Sequence, residues 1–126
     1  MPLLNSLRIA MIVQVLTLLL QATFAGMMIG GNHQAANLHE FTAKILVPLA
    51  FVQTVLAIVL RVQARCPLWV PVASAALLAA EIVEFSAGHL HNVAVHVPLG
   101  VAIFGGALRQ LLWATSGATA RSRLQA

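Results

Sequence analysis

Four long apolar runs, separated by short polar breaks, organise the chain. The runs cover residues 7–29, 38–62, 67–88 and 92–115. Each reaches the roughly 20 residues that an α-helix needs to cross the hydrocarbon core of a bilayer. Breaks this short make successive helices antiparallel neighbours. The pattern predicts an all-α membrane protein: one domain, a four-transmembrane-helix up-down bundle, with a basic tail over 116–126. Asn37 is expected to cap the second helix. Pro67 and Pro71 fall in the first turn of the third, where proline is tolerated. The first run also fits a secretory leader cut after Ala25. Its apolar residues continue through Met27, Met28 and Ile29, however, which suits a span better.

Composition strengthens this reading. Of the 126 residues, 60% are hydrophobic and only 8% charged. A soluble domain carries about 25% charged residues, so these are too few to cover a water-facing surface. The net charge of +4 is not a nucleic-acid signal, because the arginines stand at the ends of the apolar runs. Arg8, Arg61, Arg65, Arg109, Arg121 and Arg123 all fall on one side of a four-span bundle. That side is expected to be cytoplasmic, with both termini inside, in a bacterial plasma membrane. Cys66 is the single cysteine, so no internal disulfide is available, and it reads as structural.

With that orientation, His33, His39, His89, His91 and His96 all lie at or near the outer face. Two of them open matching stripes. His39, Ala43, Leu46, Ala50 and Gln53 step by +4, +3, +4, +3 along the second span. His96, Gly100, Ile103, Ala107 and Gln110 repeat the steps along the fourth. Each stripe lines one helix face. The lead-ins match loosely, Phe24-Ala25-Gly26 against Ser86-Ala87-Gly88. The pattern predicts an internal duplication of a helix pair, in which the diagonal second and fourth helices turn their stripes towards each other. Small residues at this spacing are also ordinary membrane packing, but packing does not account for a histidine at the head of each stripe.

Facing imidazoles at equal depth have three readings: interfacial packing residues, ligands of a small metal ion, or axial ligands of a haem. Zinc usually wants four ligands. A haem needs two, and six-coordinate iron favours electron transfer. The haem reading assigns His39 and His96 to the metal. Ala43 and Gly100, one turn deeper, and Gly26 and Gly88, on the flanking helices, leave room for the macrocycle. His89 and His91 read as solvated turn residues close enough to bond a propionate. His33 has no assignment in its glycine-rich loop.

Lys44, Glu81 and Glu84 lie inside the spans, where charge is costly and a partner is expected. Lys44 and Glu84 both sit about 9 Å deep at 1.5 Å per residue, so an ion pair that fixes helix register is expected, with Lys44 snorkelling to the interface as the alternative. Glu81, a turn deeper, would extend a proton path formed by Glu81, Glu84 and Lys44. Pro48 frees the Lys44 carbonyl and predicts a local kink. Glu40 is expected to be solvated at the interface.

The segments LLLQATFAG, NLHEFTAK (with His39) and AVHVPLGVAIFGG (with His96) give nearly the whole chain a resemblance. It resembles one four-helix half of the haem A synthase family, and it also looks like small bacterial four-helix membrane proteins. The resemblance implies a haem-holding bundle with histidines opening the second helix and lying in the fourth. The family's second helix carries a Glu three residues before its histidine and an Arg directly after. Here Ala36 and Glu40 stand there, so haem holding is implied and synthase chemistry is not.

The leading expectation is a membrane protein binding haem b through two histidines near the outer face, for electron transfer or haem sensing. Its partners would be the bilayer and a redox protein or quinone, with a homo-oligomer left open and no nucleic acid. One alternative is a cofactor-free accessory subunit of a membrane complex. Another is a quinone-interacting oxidoreductase with a lateral opening beside Glu84 or Gln21.

Overall fold

The computed structural model describes residues 2–116; Arg121, Arg123 and most of the basic tail lie outside the described residues. Four helices follow in order: α1 (Pro2–Ile29), α2 (His33–Val62), α3 (Trp69–His89) and α4 (Val93–Thr115). All four are long and apolar enough to cross a membrane. The shortest has 21 residues, about 31 Å at 1.5 Å per residue. Their outward faces carry large apolar side chains, among them Ile9, Leu16, Phe41, Phe51 and Val101, a surface suited to lipid.

The packing follows a ring, α1 on α2, α2 on α3, α3 on α4 and α4 on α1. Helices α2 and α4 are therefore diagonal. At the end bearing the chain termini, Leu4, Leu7, Met11, Ala57, Leu60, Val70 and Ala114 form one apolar cluster. Val15, Leu18, Leu46, Leu77, Ile103 and Ala107 form a second, nearer the middle. At the histidine end the buried apolar side chains are only Ala35 and Ala87. The bundle is thus closed by apolar packing at one end and lined by small and polar groups at the other.

Helix boundaries depart from expectation where loop and cap signals competed. Helix α2 begins at His33, because Asn32 and not Asn37 is its cap. The Asn32 side chain accepts from the backbone N–H of Gln34 at 3.0 Å and of Ala35 at 3.3 Å, bonding otherwise orphaned donors. His33 is therefore helical. Helix α1 starts at Pro2, and α3 starts at Trp69, leaving Pro67 outside and Pro71 in the first turn. Asn92 caps α4 by accepting from Val95 N–H.

Three helices end in the same way. Asn32 N–H bonds Met27 O and Gly31 N–H bonds Met28 O; Arg65 and Ala64 repeat this on Leu60 and Arg61, and Asn92 and His91 on Ala87 and Gly88. These paired bonds are the Schellman closure, which needs a left-handed residue. Gly31, Ala64 and His91 take that place, with φ of 91°, 55° and 54°. His91 thus bears a backbone duty at a position that favours glycine, costing about 1 kcal/mol. We expect His91→Gly to raise stability by about half a kcal/mol, since glycine's larger unfolded-state entropy offsets part of the relief. A higher thermal midpoint checks this.

Cys66, in the turn between α2 and α3, is buried with its thiol 3.7 Å from Ala57 O. Burial pushes its pKa above the ordinary thiol value, outweighing nearby Arg61. A raised pKa lowers the thiolate fraction at every pH below it, and only thiolate is nucleophilic. Maleimide should therefore label the folded protein more slowly at pH 7 than the denatured chain. The folded rate should keep climbing above about pH 8.5, where an ordinary thiol is half ionised.

Candidate functional site

Helix α2 carries His39 in its second turn, and α4 carries His96 in its first. Because the two helices are diagonal, both imidazoles reach the bundle axis. Their ring centroids lie 6.1 Å apart with planes at 74°. Below them the stripes continue inward. Leu46, Ala50 and Gln53 on α2 and Ile103, Ala107 and Gln110 on α4 are buried, and Gln53 Nε2 donates to Gln110 Oε1 at 3.0 Å. The heads and the ends of the two stripes thus meet across the centre.

Both rings are held from behind. His39 Nδ1 lies 3.1 Å from Gln21 O on α1. His96 Nδ1 lies 3.2 Å from Glu84 O and 3.0 Å from Glu84 Oε1 on α3. A carbonyl can only accept, so each Nδ1 donates, and in the neutral ring Nε2 then keeps a lone pair. A ring nitrogen bonded in this way fixes the tautomer of a metal-binding histidine. Thr42 adds a further tie by donating to Gln21 Oε1 at 2.6 Å.

The small residues divide. A Cβ on Gly88 would meet the His96 ring at 3.1 Å (Cε1) and 3.3 Å (Nδ1), and one on Gly100 would meet Glu84 Oε1 at 2.9 Å. The space at these two glycines, expected to be left for a macrocycle, is taken instead by the His96 ring and the Glu84 carboxyl. Gly26 fronts open space, and Ala43 is half-buried.

The expected Lys44–Glu84 ion pair does not form. Lys44 Nζ binds Glu40 Oε1 at 2.7 Å on the exposed face of α2. Glu40 is therefore paired and not merely solvated. The cause is angular: Lys44 follows Ala43, so it points about 100° away from the His39 stripe, and Glu four residues before Lys is a favourable helical pair. Lys44 is thus removed from the inferred proton path. Glu81 and Glu84 do face the interior. Glu81 is 3% exposed and accepts from Gln14 Nε2. Deeper still, Gln110 Oε1 also accepts from Ser74 Oγ at 2.9 Å.

This axial series of polar groups leaves several atoms buried without a hydrogen-bond partner. They are Glu84 Oε2, Glu81 Oε2, Gln14 Oε1, Gln53 Oε1 and Gln110 Nε2. An unmade bond of this kind costs about 1–3 kcal/mol, and such atoms point to water or a bound group. The other histidines are not part of the facing pair. His89 packs on Phe85 with centroids 4.7 Å apart, His91 closes α3, and His33 opens α2.

The spacing of the two rings, also that of an edge-to-face contact, is compatible with a shared iron. Two imidazoles sharing an ion at about 2 Å per bond place their centroids roughly 6 Å apart, the separation seen here. Among the described residues no group of three or more His, Cys, Asp or Glu side chains could hold a metal ion. Comparison with family models, curated proteins and solved structures finds no match.

Proposed function

We propose that this chain is a membrane protein that binds haem b through His39 and His96, near the outer face of a bacterial plasma membrane, for electron transfer or haem sensing. One observation carries the reading: two imidazoles from diagonal helices, each with Nδ1 bonded to a carbonyl, face each other at 6.1 Å. When bound, haem would supply one-electron chemistry. The chain's own residues hold the ligands. Gln21 and Glu84 orient the rings, Gly88 gives the His96 ring its place, and the Glu84 carboxyl stands ready to accept a proton from His96 Nδ1. The placement of arginines supports cytoplasmic termini, and the meeting of the two stripes supports an ancestral duplication of a helix pair. The resemblance to half of a haem A synthase agrees with haem holding, while Ala36 and Glu40 argue against synthase chemistry. The test is the absorption spectrum of detergent-purified protein from haem-replete cells. A sharp Soret band with resolved reduced α and β bands is expected. A folded, colourless protein sinks the reading in favour of a cofactor-free subunit.

A further inference from the structure

Glu40 pairs with Lys44 and Glu84 holds His96; Glu81 has neither kind of partner. It stands eight residues from the outer end of α3, about 12 Å at 1.5 Å per residue, and is 3% exposed. Its Oε1 accepts from Gln14 Nε2 on α1. Its Oε2 and Gln14 Oε1 are both buried without a partner. A carboxylate can only accept, which leaves two orphaned acceptors beside one bonded pair. A carboxylic acid has an O–H to donate.

Charge makes the same demand. Among the described residues no cation pairs with Glu81. Helix α1 presents the neutral Gln14, and its Arg8 bonds Ala114 O. On α2, Lys44 is taken by Glu40 on the exposed face, and Arg61 bonds Cys66 O. On α4, Arg109 stands over Trp69 and His96 is held by Glu84, the other titratable group on the inward face of α3. An isolated charge at this depth is costly, and a buried group neutralises instead.

Access is one-sided. One turn towards the chain termini from Gln14, Gln53, Ser74 and Gln110 stand Met11, Ala57, Val70 and Ala114, all members of the apolar cluster at that end. Each helix contributes one, so the polar axis stops there. Towards the histidines the buried apolar side chains are only Ala35 and Ala87. The Glu84 side chain, about 4.5 Å further out along α3, is already 17% exposed.

We propose that Glu81 is a proton-binding site that exchanges with water at the histidine end of the bundle and is closed to the end bearing the termini. The proton comes from that water and goes to Glu81 Oε2; no electron and no other group moves. Gln14 holds the carboxyl through Oε1. The site does not depend on haem.

Glu40, Glu81 and Glu84 are the only acidic residues, so infrared spectroscopy can isolate the group. At pH 7 the full chain, in a maltoside detergent without carbonyl groups, should show the C=O stretch of a protonated carboxylic acid, shifted down in D2O. The Glu40→Gln/Glu84→Gln double variant should keep this band, and Glu81→Gln should lose it. If Glu81→Gln does not fold, the double variant carries the test. Gln14→Leu removes the hydrogen bond to Oε1 and should move the band to higher frequency. The His39→Ala/His96→Ala double variant, which has no haem propionate to contribute, should keep the band, so the site stands even if the protein is colourless. Sealed vesicles holding the unaltered chain should lose a pH gradient no faster than protein-free ones. A band absent from Glu40→Gln/Glu84→Gln, retained in Glu81→Gln or unmoved in Gln14→Leu overturns the site as drawn. Faster loss of the gradient overturns its closed end. A band that sodium chloride removes also overturns it, since the occupant is then a metal cation.

Discussion

Replacing either His39 or His96 by alanine is expected to abolish the six-coordinate haem spectrum, and the two losses should be equal in kind. In the haem reading each imidazole would supply one ligand to the iron, so removing either would leave the iron one ligand short, with a shifted Soret band and blurred α and β bands. Haem affinity should fall by more than about 100-fold, beyond what loss of an outer-shell partner usually costs. The supporting residues predict a graded series. Glu84→Ala removes the carboxyl 3.0 Å from His96 Nδ1 but leaves the carbonyl at 3.2 Å. It should therefore weaken haem by about tenfold, the lower range for such partners. Gly88→Ala puts a methyl 3.1 Å from the His96 ring and should be worse than Gly26→Ala, whose methyl meets nothing. His89→Ala should leave the spectrum intact, since His89 packs on Phe85 and is not one of the two facing rings. Haem titration of the purified variants reads the whole series. A spectrum that survives His96→Ala but not His89→Ala would show that the ligand is misassigned.

The histidine pair was legible because it depends only on helical period and bundle topology. A +4, +3, +4, +3 series stays on one face, and four short-looped spans make the second and fourth diagonal. The same reasoning places Glu81 and Glu84, three apart, on one inward face. It also applies to Lys44, whose +1 offset from Ala43 turns it outward; matching depths alone pointed to Glu84 and missed the partner four residues away. Gln14 escaped notice, although its signal was present. Two amides in the apolar run MIVQVLTLLLQ, Gln14 and Gln21, stand seven residues and so about two turns apart and mark the inward face of α1. The start of α2 was illegible for another reason. Asn32 and Asn37 are both competent caps, and only the Gly31 closure of α1 decides between them. The roles of Gly88 and Gly100 were not readable either. Sequence shows that space is left but not which side chain fills it, and here the fillers are His96 and Glu84.

The second large effect is expected far from the histidines, at Gln110. Its Oε1 accepts from both Gln53 Nε2 and Ser74 Oγ, and Gln53, Ser74 and Gln110 are at most 2% exposed. Gln110→Leu strips two buried donors of their acceptor, at about 1–3 kcal/mol each. The expected loss is thus about 2–6 kcal/mol, less where the unfolded chain in the membrane finds other partners for these groups. Gln53→Leu orphans no donor and leaves Ser74 still bonded to Gln110, so it should cost less. The informative variant combines Gln53→Leu, Ser74→Ala and Gln110→Leu. All three polar groups then go together, and no donor remains unpaired. An apolar replacement of a whole polar cluster can be nearly neutral, so the triple variant should be more stable than Gln110→Leu alone by at least about 1 kcal/mol. Two isosteric leucines at facing positions on α2 and α4 would also extend the apolar packing already made by Leu46 and Ile103. Unfolding in mixed micelles, with helicity followed by circular dichroism, measures both differences. If the triple variant were the least stable of the set, the amide cluster would be contributing net stability. Retention of polar groups in this core would then need no functional cause. If it is the more stable, as expected, the cluster is held at a cost to stability, which fits an axis kept polar for a bound group or for protons.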